Sequence, residues 1–159
     1  MAVIAPSQKT KDMLLGYHVR REICVIPTGL KLDVFSRKHL NPEFRKNLRE
    51  KYHVDESEKL IIYVGRIAEE KALDLVIRGI SKAIEQGCPI RFLIVGGGPE
   101  MESLQKMTVD LGMDDHIFFA GPQPSEMIPD YYRSADAFIS ASLSETQGMT
   151  FIEALASGL

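Results

Sequence analysis

This sequence predicts an α/β domain of the Rossmann-like, doubly wound kind, built on a parallel sheet. Three observations carry the prediction. From Leu60 onward, strand-like and helix-like segments alternate four times with short connections. Leu73, Val76, Ile77, Ile80 and Ile84 form one apolar stripe at the helical period. Ile90–Val95 is apolar except at its start, the pattern of a strand buried on both faces.

Ser7 is placed to cap a short helix running to Leu15. Ile23–Ile26 reads as a strand ending in the turn signal Pro27-Thr28-Gly29. A boundary falls around Pro27–Phe35. Asn41 caps a helix to Tyr52, with Phe44, Leu48 and Tyr52 on one side. The same helix carries Arg45, Lys46, Arg49 and Lys51. Two readings of that basic face stand: a solvated surface, or a surface that meets lipid headgroups.

The repeating part follows. Strands are expected at Leu60–Val64, Ile90–Val95, His116–Ala120 and Asp136–Ser140. Helices are expected at Glu69–Gln86, Pro99–Leu111, Ser125–Ser134 and Met149–Ser157. Pro99 and Gly112 bracket the second of these in the usual order. Pro129 marks a break or fresh start inside the third.

The 159 residues suffice for one domain with a core. A net charge of −3 implies no bulk attraction to nucleic acid. Cys24 and Cys88 lack metal-ligand spacing and read as reduced core thiols of a cytoplasmic protein. No apolar run approaches the roughly 20 residues of a membrane span. Residues 1–6 lack the basic start of a signal peptide and read as a strand from something longer.

In a doubly wound sheet, ligands bind beyond the carboxyl ends of the strands. After Leu60–Val64 come Gly65, Arg66 and Lys71, a guanidinium fork and an ammonium able to clamp a diphosphate. The plainer alternative pairs them with Glu69 and Glu70. After Ile90–Val95 comes Gly96-Gly97-Gly98, but position 101 is methionine, so the dinucleotide fingerprint fails. The triple glycine is kept as a tight turn beside a ligand. Gly121-Pro122-Gln123-Pro124 is either a rigid loop that receives a base or an ordinary turn. The last strand runs into a glycine turn that carries Glu145 and Gly148, and a helix begins near Met149. Its free N–H groups and dipole suit an anion. Glu153, eight positions after Glu145, lies about one turn into that helix and can accept bonds from hydroxyls. Phosphate at the N–H groups and polyol at the carboxylates describe a nucleotide-sugar. The four histidines are scattered without metal spacing, and no Asp-x-Asp triplet occurs. No metal is therefore assigned, and no cofactor is implied beyond the donor substrate.

Taken together, Val64-Gly65-Arg66 with Glu70-Lys71, Val95–Glu100, Phe119-Ala120-Gly121 and the Glu145/Glu153 pair resemble the carboxy-terminal domain of retaining glycosyltransferases. The group is the glycogen-synthase-like and phosphatidylinositol-mannosyltransferase-like one with the two-domain GT-B fold. Ala5-Pro6-Ser7 and Ile26–Gly29 match the end of its first domain and the interdomain link. The resemblance implies residues 1–29 as that end and link, and 30–159 as an incomplete donor-binding domain. Ser144–Gly148 with Thr150–Ala154 is similar to bacterial diacylglycerol glucosyltransferases, which use UDP-glucose.

The roles implied are specific. Arg66 and Lys71 hold the donor diphosphate, and the backbone of Gly148, Met149 and Thr150 caps the phosphates. Glu145, the residue assigned to the catalytic centre, touches the donor sugar, and Glu153 binds the ribose. The partners implied are a UDP-sugar donor, an acceptor that includes membrane lipid among its candidates, and an amino-terminal domain carrying the acceptor site. The location implied is the cytoplasm, with the inner membrane face as a peripheral site. A fragment of this extent is expected not to transfer sugar by itself. Ala72 departs from the family, which usually has glycine there. Alanine is small and favours helix, so little harm to Lys71 is expected. A non-catalytic nucleotide-sugar binding module is the competing reading, and a nicotinamide oxidoreductase is disfavoured by the missing glycine.

Overall fold

The computed structural model describes residues 2–159, so Met1 of the expected first strand lies outside the described residues. Strands β1 (Val3–Ala5) and β2 (Ile23–Val25) pair in parallel, joined by helix α1 (Gln8–Gly16). The Ser7 side chain accepts from the Thr10 N–H, as expected of a cap. Two 3-10 turns, Leu32–Phe35 and Arg37–His39, lead into α2 (Pro42–Lys51). The Asn41 side-chain oxygen Oδ1 caps α2, accepting from Glu43 and Phe44 N–H, each at 3.1 Å.

The main sheet is parallel and four-stranded, in the order β5-β4-β3-β6. Its strands are β3 (Lys59–Val64), β4 (Ile90–Val95), β5 (Ile117–Gly121) and β6 (Ala137–Phe138). Helices α3 (Leu73–Glu85), α4 (Met101–Asp110), α5 (Ile128–Ser134) and α6 (Met149–Ala156) connect or follow them. Both faces are covered, as parallel sheets require. Strand alternation divides the core in two. Leu60, Ile62, Val64, Leu93 and Val95 pack with Leu48, Tyr52, Tyr131, Tyr132 and Ala154. Tyr63, Phe92 and Ile94 pack on the other face with Val76, Ile77, Ile80 and Leu104. The α/β reading is therefore that of the structure.

Several expectations need correction. The helix from Glu69 is two pieces: a 3-10 turn over Glu69–Lys71, then α3 from Leu73. Ala72 between them is left-handed, with φ 48° and ψ 43°. Helix propensity is thus the wrong argument for this position, where alanine's Cβ is a disadvantage. The helix expected from Ser125 starts at Ile128, with Pro129 in its first turn. The helix expected from Pro99 starts at Met101. The last strand is short, although Ile139 N–H still donates to the Ile62 carbonyl at 3.0 Å. The basic face of α2 is partly internal structure. Arg45 and Arg49 each reach Asp136 at 3.3 Å, and Lys46 pairs with Glu50 at 3.8 Å.

Candidate functional site

The carboxyl ends of β3, β4 and β5 are welded together by backbone. Gly65 N–H donates to Val95 O at 3.0 Å, Ile67 N–H to Gly97 O at 2.9 Å, and Gly96 N–H to Gly121 O at 3.0 Å. A Cβ on Gly96 would stand 1.8 Å from the Gly65 carbonyl oxygen, and its φ is +139°. The triple glycine therefore serves close loop-to-loop packing. None of the three lines the cleft described next, although Gly96 packs against Gly65, which does.

That cleft holds about 500 Å³ and lies between the β3 end and the segment leading into α6. Arg66, Lys71, Glu145, Gly148, Met149 and Thr150 all line it. Glu153 does not; it sits half-buried one turn into α6, its Oε2 accepting from the Tyr132 hydroxyl at 3.1 Å. The structure thus brings together six of the seven residues singled out from sequence and leaves the seventh behind the helix tip.

Within the cleft, Lys71 Nζ lies 2.7 Å from Glu145 Oε1 and 3.3 Å from Ser142 Oγ. The partners considered from sequence, Glu69 and Glu70, do not pair with Lys71 or Arg66. Among the described residues Arg66 has no ion-pair partner, and its side chain is exposed. An ammonium has three donors, so Lys71 keeps one for a further oxygen. Burial by itself raises the Glu145 carboxyl. The bonds from Lys71 and Ser142, with the charges of Lys71 and Lys9, outweigh it and hold the group below the usual carboxylate range. Burial pushes the Glu153 carboxyl up, with the Tyr132 bond only partly opposing it.

The helix tip is built by Gly148, left-handed at φ 64°, which turns the chain into α6. Among the described residues no side chain caps α6. Its first N–H groups have no intrahelical acceptors and remain available to an anion.

Two residues lining the cleft, Tyr63 and Glu70, and Ser142 next to it were given no site role from sequence. Tyr63, 2 % exposed, donates its hydroxyl to the Arg66 carbonyl at 2.8 Å and so fixes the turn that carries Arg66. Burial, then the charges of Glu145 and Glu70, push its phenol up to about 12. Glu70 lines the wall and accepts from Leu143 N–H through its carbonyl at 2.9 Å. Ser142 steadies Lys71. The position of Tyr63 one residue before the strand's end was a usable signal. Nothing local marks Ser142.

A larger hollow of about 980 Å³ opens at the opposite edge, where β3 and β6 begin. Its two arginines are committed: Asp136 accepts from Arg45, from Arg49 and, at 2.8 Å, from Leu60 N–H. Strand starts are not where such sheets bind ligands. Among the described residues no cluster of His, Cys, Asp and Glu is arranged to hold a metal, and no helix is long and apolar enough to cross a membrane.

The chain is 36% identical over 156 residues to an alpha-monoglucosyldiacylglycerol synthase of Streptococcus pneumoniae, covering 98% of this chain and 35% of the relative. It is 34% identical over 163 residues to a D-inositol 3-phosphate glycosyltransferase of Mycobacteroides abscessus, covering 98% and 35%. The chain thus spans about a third of the length of these curated relatives. Among solved structures, the Anabaena protein HepE, in complex with UDP and glucose, superposes with a TM-score of 0.81 at 20% identity, over 99% of this chain and 42% of that one. A glycosyltransferase from Rickettsia africae gives a TM-score of 0.81 at 26% identity, over 98% and 42%. The fold is that of GT-B glycosyltransferase structures. The family description "Glycosyl transferases group 1" matches residues 44–159, and this chain belongs to that family.

Proposed function

We propose that this chain is the donor-binding part of a glycosyltransferase that takes UDP-glucose and transfers glucose, with retention, to a glycolipid precursor at a membrane surface. The single observation that carries the reading is the unpaired Arg66 guanidinium. It shares one cleft with the Lys71–Glu145 pair and the uncapped tip of α6. The names of two relatives, both alpha-monoglucosyldiacylglycerol synthases, support the glucolipid class.

The chemistry follows from charge. Breaking the bond between glucose and the diphosphate puts negative charge on the leaving phosphate. Arg66, the third donor of Lys71 and the N–H groups of Met149 and Thr150 stabilise that charge where it grows. Glu145, held ionised, accepts bonds from sugar hydroxyls and orients the ring. A diphosphate departs without needing an acid, and Glu153 does not line the cleft, so Glu145 and Glu153 are not read as the acid and nucleophile of a glycosidase. Proton transfer from the acceptor hydroxyl is then left to the departing phosphate. In this reading Glu153 receives the ribose hydroxyls.

Calorimetric titration with UDP tests the site. Arg66→Ala should weaken binding about ten- to a hundredfold, the loss of a charge-assisted hydrogen bond, with unfolding stability within about 0.5 kcal/mol of the parent. Unaltered affinity in that variant removes the site. The transfer claim is tested on the protein with UDP-glucose and diacylglycerol vesicles, reading the anomer by NMR. An α-linked product is expected, and a β-linked product ends the retaining reading.

A further inference from the structure

The hydroxyl of Tyr132 has two acceptors, both in the first turns of α6. Glu153 Oε2 lies at 3.1 Å and the Thr150 carbonyl at 3.3 Å. Tyr132 is fully buried on α5. Its ring stands edge-on to Phe35 of the first 3-10 turn at 6.0 Å between centroids, and tilted against Phe138 of β6 at 5.9 Å. A ring locked on two sides in a close-packed core places its hydroxyl with little freedom. The hydroxyl therefore refers the start of α6 to the rest of the core. Nothing else among the described residues hydrogen-bonds the Glu153 carboxylate, whose Oε1 is left open.

We propose that Tyr132 is a positioning residue of the donor site: its hydroxyl holds the Glu153 carboxylate and the tip of α6 in the arrangement that receives the nucleotide. The inference rests on the donor-site reading above, in which Glu153 binds ribose. Tyr132 touches no ligand itself. It acts by denying Glu153 other rotamers and by stabilising the carboxylate as an acceptor. Burial, then the Glu153 charge, raise the phenol far above its ordinary value, so the hydroxyl keeps its proton across the working pH range. Groups facing this carboxylate are few: Tyr132 supplies its one hydrogen bond, and burial opposes its charge.

Tyr132→Phe removes the oxygen and keeps the ring. UDP affinity is measured by calorimetry from about pH 5 to about pH 8 for the parent, Tyr132→Phe, Glu153→Ala and the double variant. The single Tyr132→Phe change is expected to weaken UDP about five- to tenfold at neutral pH, the worth of one hydrogen bond to a charged group. Its acid limb should move to higher pH, because Glu153 loses the donor that favours its charged form. In the Glu153→Ala background the same change should cost less than it does in the parent, with only the Thr150 contact left to lose, since coupled residues are non-additive. A carbon-13 titration of the Glu153 carboxyl, without nucleotide, should show its midpoint raised in Tyr132→Phe. Parent-like affinity and an unmoved midpoint in that variant overturn the role of Tyr132 and leave the donor site standing. Failure of the parent to bind UDP removes the site, and this inference with it.

Discussion

The two rims of the main sheet each gather basic side chains around one carboxylate, and they settle the charge differently. At the strand starts, Asp136 takes Arg45, Arg49 and the Leu60 N–H, so its acceptor capacity is largely used. At the strand ends, Glu145 takes Lys71, and Arg66 is left over. At the first rim both arginines are engaged by internal acceptors. The second carries an unpaired guanidinium and an uncapped helix tip, which an anion would complete. Cavity size and the proposed donor site thus single out different rims.

The comparison can be broken most severely at the cleft rim's backbone. Gly96→Ala puts a methyl group against the Gly65 carbonyl and imposes a positive φ on a side chain. Loss of about 4 kcal/mol is expected in urea unfolding, at the exceptional end of single substitutions. At the other rim the vulnerable element is charge. Asp136→Ala should lose about 3 kcal/mol, because two guanidinium groups and an N–H lose their acceptor together. UDP binding should persist in whatever fraction remains folded.

Ala72→Gly sharpens the picture in the opposite direction. It relieves a left-handed alanine just after Lys71 and should add about 1 kcal/mol of stability by thermal unfolding. A decrease would mean that Ala72 makes contacts worth more than its strain.

The smallest effect separates the two glutamates by pH. The raised Glu153 carboxyl binds its proton more tightly folded than unfolded. Its contribution is present below the ordinary value of about 4.3 and is lost as pH rises through the raised one. Glu153→Gln should therefore gain stability over the parent as pH rises from about 4 to about 7. Glu145 has the other sign. Its depressed carboxyl stabilises above the ordinary value and stops doing so as pH falls through the folded one. Glu145→Gln should be destabilised at neutral pH and converge on the parent in acid, by less than about 1 kcal/mol. Parallel pH curves for the two variants would contradict the assigned environments.

Much of this molecule was legible in its sequence. Periodic apolar positions in α3 and the unbroken run of β4 are local consequences of burial, so pattern alone located them. Ser7 and Asn41 were read as caps because a cap is a contact between near neighbours in sequence. Arg66, Lys71, Glu145 and the turn at Gly148 were found because glycine and charge following a strand fall at the ligand edge of any such sheet. Other features answer to partners distant in the chain, which no local pattern shows. The triple glycine meets the Gly65 and Ile67 backbone and Pro122, and two arginines of α2 meet Asp136.

Sequence by itself determined the element order, the two-faced core and the set of side chains delivered to the strand ends, because these follow from periodicity and chain direction. Only the tertiary structure decided which charges cancel. It paired Lys71 with Glu145, left Arg66 free, and set Glu153 behind the helix tip under Tyr132. Pairing depends on distances between residues remote in the chain, and no local pattern encodes those distances.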